Sequence, residues 1–137
     1  MGSLSRSKGR AFEQLVARML TEATGAQWKR RVRQHDGDSD IVTDEPAYAR
    51  LSIECKHANV LDLPKWWRQA LEQAGDGVPV LIYRQTGRAV YVQVDAHHVN
   101  GRHWPVAGRY TVTLGWEAAM QWLREMLPAT QYSPGVI

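Results

Sequence analysis

Asp40-Ile41-Val42-Thr43-Asp44-Glu45-Pro46-Ala47-Tyr48-Ala49-Arg50-Leu51-Ser52-Ile53-Glu54-Cys55-Lys56-His57 is the stretch on which the fold turns. From Arg50 to His57 the side chains alternate. Leu51, Ile53 and Cys55 fall on one face, and Ser52, Glu54 and Lys56 on the other, as in a half-buried β-strand. Residues 40–43 read as a short strand, and 44–49, with a proline and several polar residues, as the loop between the two. Antiparallel pairing through that loop has Ala47 as its midpoint. Asp40 then stands opposite Glu54, Val42 opposite Ser52 and Asp38 opposite Lys56, so that Asp40, Glu54 and Lys56 share one face. A slip of one residue would turn Asp40 to the other face, so the site depends on this register.

Working outward, Phe12, Leu15, Val16, Met19, Leu20 and Ala23 recur at the three-and-four spacing of an amphipathic helix. They predict a helix over 7–24, with Ser7 as N-cap and Gly25 as its stop. Residues 27–34 read as a basic strand and 35–39 as a turn. Downstream, a helix runs from Pro64 to Ala74 and stops at Gly75. Residues 78–84 and 89–94 read as a hairpin, 109–114 as a further strand and 116–127 as a third helix. In that helix Trp116, Ala119, Met120, Leu123, Met126 and Leu127 face inward. This order predicts one α/β domain over residues 1–127, a central mixed sheet flanked by helices. Residues 128–137, with two prolines and a glycine, read as a flexible C-terminal tail.

At 137 residues the chain is long enough for one domain with a real core. Its 44% apolar and 23% charged residues exclude a disordered chain. No run approaches the roughly 20 apolar residues of a membrane span, and residues 1–10 lack an apolar signal region. A cytoplasmic protein with no membrane partner is expected. Cys55 is the only cysteine, which excludes a disulfide framework and a cysteine-built zinc site. His97, His98 and His103 follow no zinc-finger spacing and have no Glu-x-x-His partner. Net charge is +3, and 13 of the 17 basic residues are arginine, suited to forked contacts with phosphate. The balance leans towards nucleic acid, although a charge of this size also serves plain solubility.

Two carboxylates and a lysine on adjacent strands have two readings. One is a solvated face with cross-strand ion pairs, each worth about 0.2–1 kcal/mol. The other is a hard-metal site, because Mg²⁺ and Mn²⁺ prefer one or two carboxylates completed by waters and phosphate oxygens. Asp40 and Glu54, with a backbone carbonyl such as that of Cys55, supply such a half-shell. Lys56 can orient an attacking water or stabilise charge building on a phosphate.

Ser39-Asp40-Ile41-Val42 followed by Ile53-Glu54-Cys55-Lys56 resembles the signature of the PD-(D/E)xK nuclease superfamily: an Asp and an (Asp/Glu)-x-Lys on adjacent strands. Ser39 replaces the proline of the superfamily name. Upstream, Lys8-Gly9-Arg10-Ala11-Phe12-Glu13-Gln14-Leu15-Val16 is similar to the opening helix of archaeal and phage Holliday junction resolvases. Downstream, Trp67-Arg68-Gln69-Ala70 and Pro79-Val80-Leu81-Ile82-Tyr83-Arg84 resemble the phage-type members. The likeness spans about residues 8–94 and implies a restriction-endonuclease-like fold.

It also implies a Mg²⁺-dependent endonuclease, with Mn²⁺ able to substitute, that cuts branched DNA as a symmetric homodimer. Hydrolysis would leave a 3′ hydroxyl and a 5′ phosphate. Asp40 and Glu54 are the implied metal ligands, with Lys56 the catalytic lysine. Glu13 is the implied outer ligand or water holder. Gln69 is the helix residue expected to reach the catalytic face or a DNA phosphate, with Gln73, four residues on, an open alternative. Arg6, Lys8 and Arg10, together with Lys29, Arg30, Arg31 and Arg33, form an expected phosphate track, although charge on an edge strand also guards against aggregation. Two other readings stay open: a repair or restriction-type nuclease acting on duplex, flap or single-stranded DNA, and a DNA-binding module without catalysis. Trp66 and Trp67 are adjacent, so one is expected on the sheet and the other at an interface or beside a base. His57 faces away from the cluster, and Cys55 reads as a small buried side chain.

Overall fold

Alternation along each strand decides which residues the sheet buries. A computed structural model describes residues 2–31 and 40–126, with side chains at 8–31 and 40–125. Its elements are α1 (Gly2–Thr24), β1 (Trp28–Arg30), β2 (Ile41–Thr43), β3 (Leu51–Ala58), α2 (Leu63–Ala74), β4 (Val78–Gln85), β5 (Val90–Asp95), β6 (Thr111–Gly115) and α3 (Trp116–Gln121). The six strands lie side by side in chain order. Every neighbouring pair is antiparallel except β3 and β4, which run parallel. A parallel pair needs a crossover, and α2 supplies it.

One face of the sheet carries Ile41, Ile53, Cys55, Val80, Ile82, Val92 and Val94. They pack under Phe12, Val16 and Leu20 of α1 and Ala119, Met120 and Leu123 at the C-terminal end. The other face carries Leu81 and Tyr83 beneath Trp66 and Ala70 of α2. β4 is therefore covered on both sides, which explains its unbroken apolar run from Val78 to Tyr83. The architecture is the single α/β domain expected: a mixed sheet with helices on both faces, consistent with a restriction-endonuclease-like fold.

Several boundaries differ from expectation. α1 begins at Gly2, which puts Ser7 inside the helix rather than at its cap; no proline interrupts residues 2–7. It ends as expected at Gly25, whose φ of 78° is left-handed and whose N–H donates to the Thr21 carbonyl. α2 starts one residue early, at Leu63, because the Asp62 carboxylate caps the Lys65 N–H. The last helix is α-helical only to Gln121 and continues as a π turn from Trp122 to Met126. That wider turn buries the neighbours Trp122 and Leu123 together, and the Trp122 indole N–H donates to the His98 carbonyl at 2.9 Å. The expected strand residues 32–34, the turn at 35–39, Leu127 and the tail at 128–137 lie outside the described residues. No described helix is long and apolar enough to cross a membrane.

Candidate active site

The β2–β3 pairing brings the acidic residues together. Ile41 pairs with Ile53, and both are buried in the core under α1. Carried one residue outward, that register sets Asp40 against Glu54, as the Ala47 midpoint requires. Asp40 is anchored on both sides: its N–H donates to the Ile53 carbonyl at 2.9 Å, and its carbonyl accepts from the Arg31 N–H at 3.0 Å. Its carboxylate Oδ2 accepts the Cys55 backbone N–H at 2.8 Å. On the neighbouring positions of β3, Lys56 Nζ stands 3.2 Å from Glu54 Oε1.

Burial makes these charges expensive. Asp40 and Glu54 are each only 8% exposed. Desolvation, followed by the repulsion of Glu54, pushes the Asp40 carboxyl up from 3.8 to about 7. Glu13 adds to that rise, while the Cys55 N–H and Lys56 oppose it. Burial also raises Glu54, with Lys56 pulling down and Glu13 pushing up. Three carboxylates thus feel one another, with a single lysine among them. Among the described residues no group of three or more His, Cys, Asp and Glu side chains is close enough to enclose a metal. The donor set fits an open half-shell instead: two carboxylates beside peptide oxygens, the chemistry of a hard cation that keeps several waters.

Glu13 accepts from the Arg30 Nε at 2.8 Å, so α1 and β1 are tied together beside the cluster. Arg30, expected on a phosphate track, therefore spends that donor on Glu13. Gln69 and Gln73 both have a buried Oε1 without a partner. The flank of α2 bearing Leu71 and Ala74 overhangs β5, lining a cleft of about 460 Å³ with Asp95 and His97. At about 100° per residue, Gln69 and Gln73 both lie on the opposite flank, so the geometry does not choose between them. Cys55 turns its side chain into the core, where burial raises the thiol pKa well above its ordinary value. Only its peptide serves the cluster.

Among the described residues, the expected basic side chains lie in more than one place. Lys29 is exposed and Arg31 half-buried at the β1 edge, while Arg10 is exposed on α1. Lys8 instead reaches the far ends of β3 and β4 and donates to Asn59 Oδ1 and Thr86 Oγ1. The side chain of Arg6 and all of Arg33 lie outside the described residues. His57 turns away from Lys56, as expected, its ring 5.4 Å from that of Phe12. Trp66 is buried on the sheet, and Trp67 also packs partly against the same cluster. Sequence reading missed one grouping: the parallel register sets His57 beside Arg84. The alternation that puts them on one face is visible in the sequence, but which strands are neighbours is not.

A family model described as "Phage putative PDDEXK endonuclease" matches residues 4–115. No curated protein and no solved structure gave a match. The matched span runs from α1 to the end of β6, taking in all six strands together with Glu13, Asp40, Glu54 and Lys56. With the acidic pair and the Glu-x-Lys strand in that frame, the chain belongs to the phage PDDEXK endonuclease family.

Proposed function

We propose that this chain is a Mg²⁺-dependent endodeoxyribonuclease that cuts four-way DNA junctions, working as a homodimer. The observation that carries the reading is the Asp40 carboxylate fastened by the Cys55 N–H beside the Glu54–Lys56 pair. Asp40 and Glu54 would hold the cation, and the Cys55 carbonyl would complete their half of the shell. When bound, such an ion supplies Lewis acidity at a phosphoryl oxygen. Lys56 orients the attacking water and offsets negative charge developing on the phosphorus oxygens. Glu13, steadied by Arg30, holds water at the rim. The unpartnered Gln69 Oε1 accepts a hydrogen bond at the same face. Hydrolysis leaves a 3′ hydroxyl and a 5′ phosphate. Two symmetric cuts call for two such sites, which a two-fold homodimer supplies.

The test is cleavage of a labelled immobile four-way junction, its duplex arm, a flap and a single strand, with Mg²⁺, Mn²⁺ or chelator. Junction cutting that needs the divalent ion supports the reading. Equal cutting of the duplex arm would overturn the substrate and keep the nuclease. No cutting with either metal would leave a binding module.

A further inference from the structure

On the face of β3 opposite Glu54 and Lys56, three segments distant in sequence converge. Lys8 of α1 donates from Nζ to Asn59 Oδ1 at 2.9 Å and to Thr86 Oγ1 at 2.8 Å. Thr86 in turn donates to Asn59 Oδ1 at 2.6 Å and lies 3.5 Å from His57 Nε2. Arg84 stands beside His57 in the parallel β3–β4 register, and its Nε is buried with no hydrogen-bond partner. Lys8 and Arg84 are both near enough to bear on the His57 ring. Among the described residues neither cation meets a carboxylate, since the ion pairs there join Arg30 to Glu13 and Lys56 to Glu54.

A buried guanidinium nitrogen without an acceptor is an unfilled hydrogen-bond position. Lys8 and Arg84 both bear on one imidazole with no carboxylate on either among the described residues, and an anion bound there would offset that charge and fill the open position. Arginine and lysine are also the donors that recur around phosphate. We propose that Lys8, positioned by Thr86 and Asn59, and Arg84 form a phosphate subsite for the DNA backbone. It lies on the reverse of the strand that bears Glu54 and Lys56. His57 follows Lys56 directly, so a backbone bending round the end of β3 meets the catalytic lysine on one face and this subsite on the other. Branched DNA, whose strands diverge at the junction, offers such a path. The inference builds on the proposed nuclease reading and adds to it where the uncut part of the substrate is held.

Binding of a labelled four-way junction by the full chain, followed by fluorescence anisotropy in chelator across a salt series, tests it without cleavage. Lys8→Gln and Arg84→Gln should each weaken binding about 5- to 20-fold and lower the log–log salt slope by roughly one. Arg84→Lys, which keeps the charge, should recover most of the affinity. Melting temperatures of all three variants report folding. The proposal is overturned if folded Lys8→Gln and Arg84→Gln bind within twofold of wild type with an unchanged slope. It is equally overturned if a folded Arg84→Lys binds as weakly as Arg84→Gln, which would make the network structural. Because binding is read without metal, a chain that binds in this way yet never cuts would refute the nuclease and leave the subsite standing.

Discussion

Asp40 destabilises the metal-free fold at neutral pH. Its carboxyl titrates near 7 in the folded chain and at 3.8 in an unfolded one. Between those values the folded state holds more protons than the unfolded, so stability falls as pH rises through that window. Glu54, also raised, acts in the same direction. The full Asp40 effect corresponds to roughly 4 kcal/mol at most above pH 7. Thermal melts in chelator should therefore show a melting temperature that declines from pH 5 to pH 8, and Asp40→Asn should flatten the decline. A wild-type profile as flat as that of Asp40→Asn would refute the assignment. In the catalytic reading, Asp40→Asn and Lys56→Ala each lower the cleavage rate by roughly 100-fold or more. Junction affinity measured in chelator should stay within about twofold for Lys56→Ala, and a larger loss would make Lys56 a binding residue instead.

Among the elements, α2 holds the sheet's second face with one small cluster. Trp66 and Ala70 lie on Leu81 and Tyr83, and the Tyr83–Tyr91 rings stand 6.0 Å apart. Trp66→Ala would empty most of that contact and should cost about 3–5 kcal/mol, measured by urea unfolding. The junction of α2 and β4 is equally constrained, for a different reason. A Cβ on Gly77 would lie 2.7 Å from the Arg50 carbonyl oxygen, which is the acceptor for the Val78 N–H at 2.8 Å. Gly77→Ala should thus displace the start of the parallel ladder and cost on the order of 1–3 kcal/mol in the same experiment. An alanine variant as stable as wild type would mean that the α2–β4 turn can relax.

For the molecule as a whole, the proposed metal site would make stability dependent on a divalent cation. A ligand that binds only the folded state contributes about 2.7 kcal/mol at one hundred times its dissociation constant. Mg²⁺ or Mn²⁺ should raise the melting temperature of wild type at pH 8, and should not raise that of a double variant, Asp40→Asn with Glu54→Gln. An equal rise in both proteins would place the cation elsewhere. Two cationic regions flank the acidic cluster, Lys29 at the β1 edge and the Lys8–Arg84 group at the end of β3. In the proposed reading, a substrate held at both would span the sheet, as a large branched DNA can.

The order of elements, the antiparallel β2–β3 register and the convergence of Asp40, Glu54 and Lys56 were legible from residues 40–57. Strand alternation and a short loop are local, and each follows from a few neighbouring residues. The buried run of β4 and the glycine stop of α1 were legible for the same reason. Other features were set by which distant segments became neighbours, and no local pattern encodes that. Arg30 pairs with Glu13 because α1 crosses β1, and Arg84, with its unpartnered Nε, stands beside His57 because β3 and β4 run parallel. The raised Asp40 pKa likewise comes from the loss of water around it, which only the packed chain imposes.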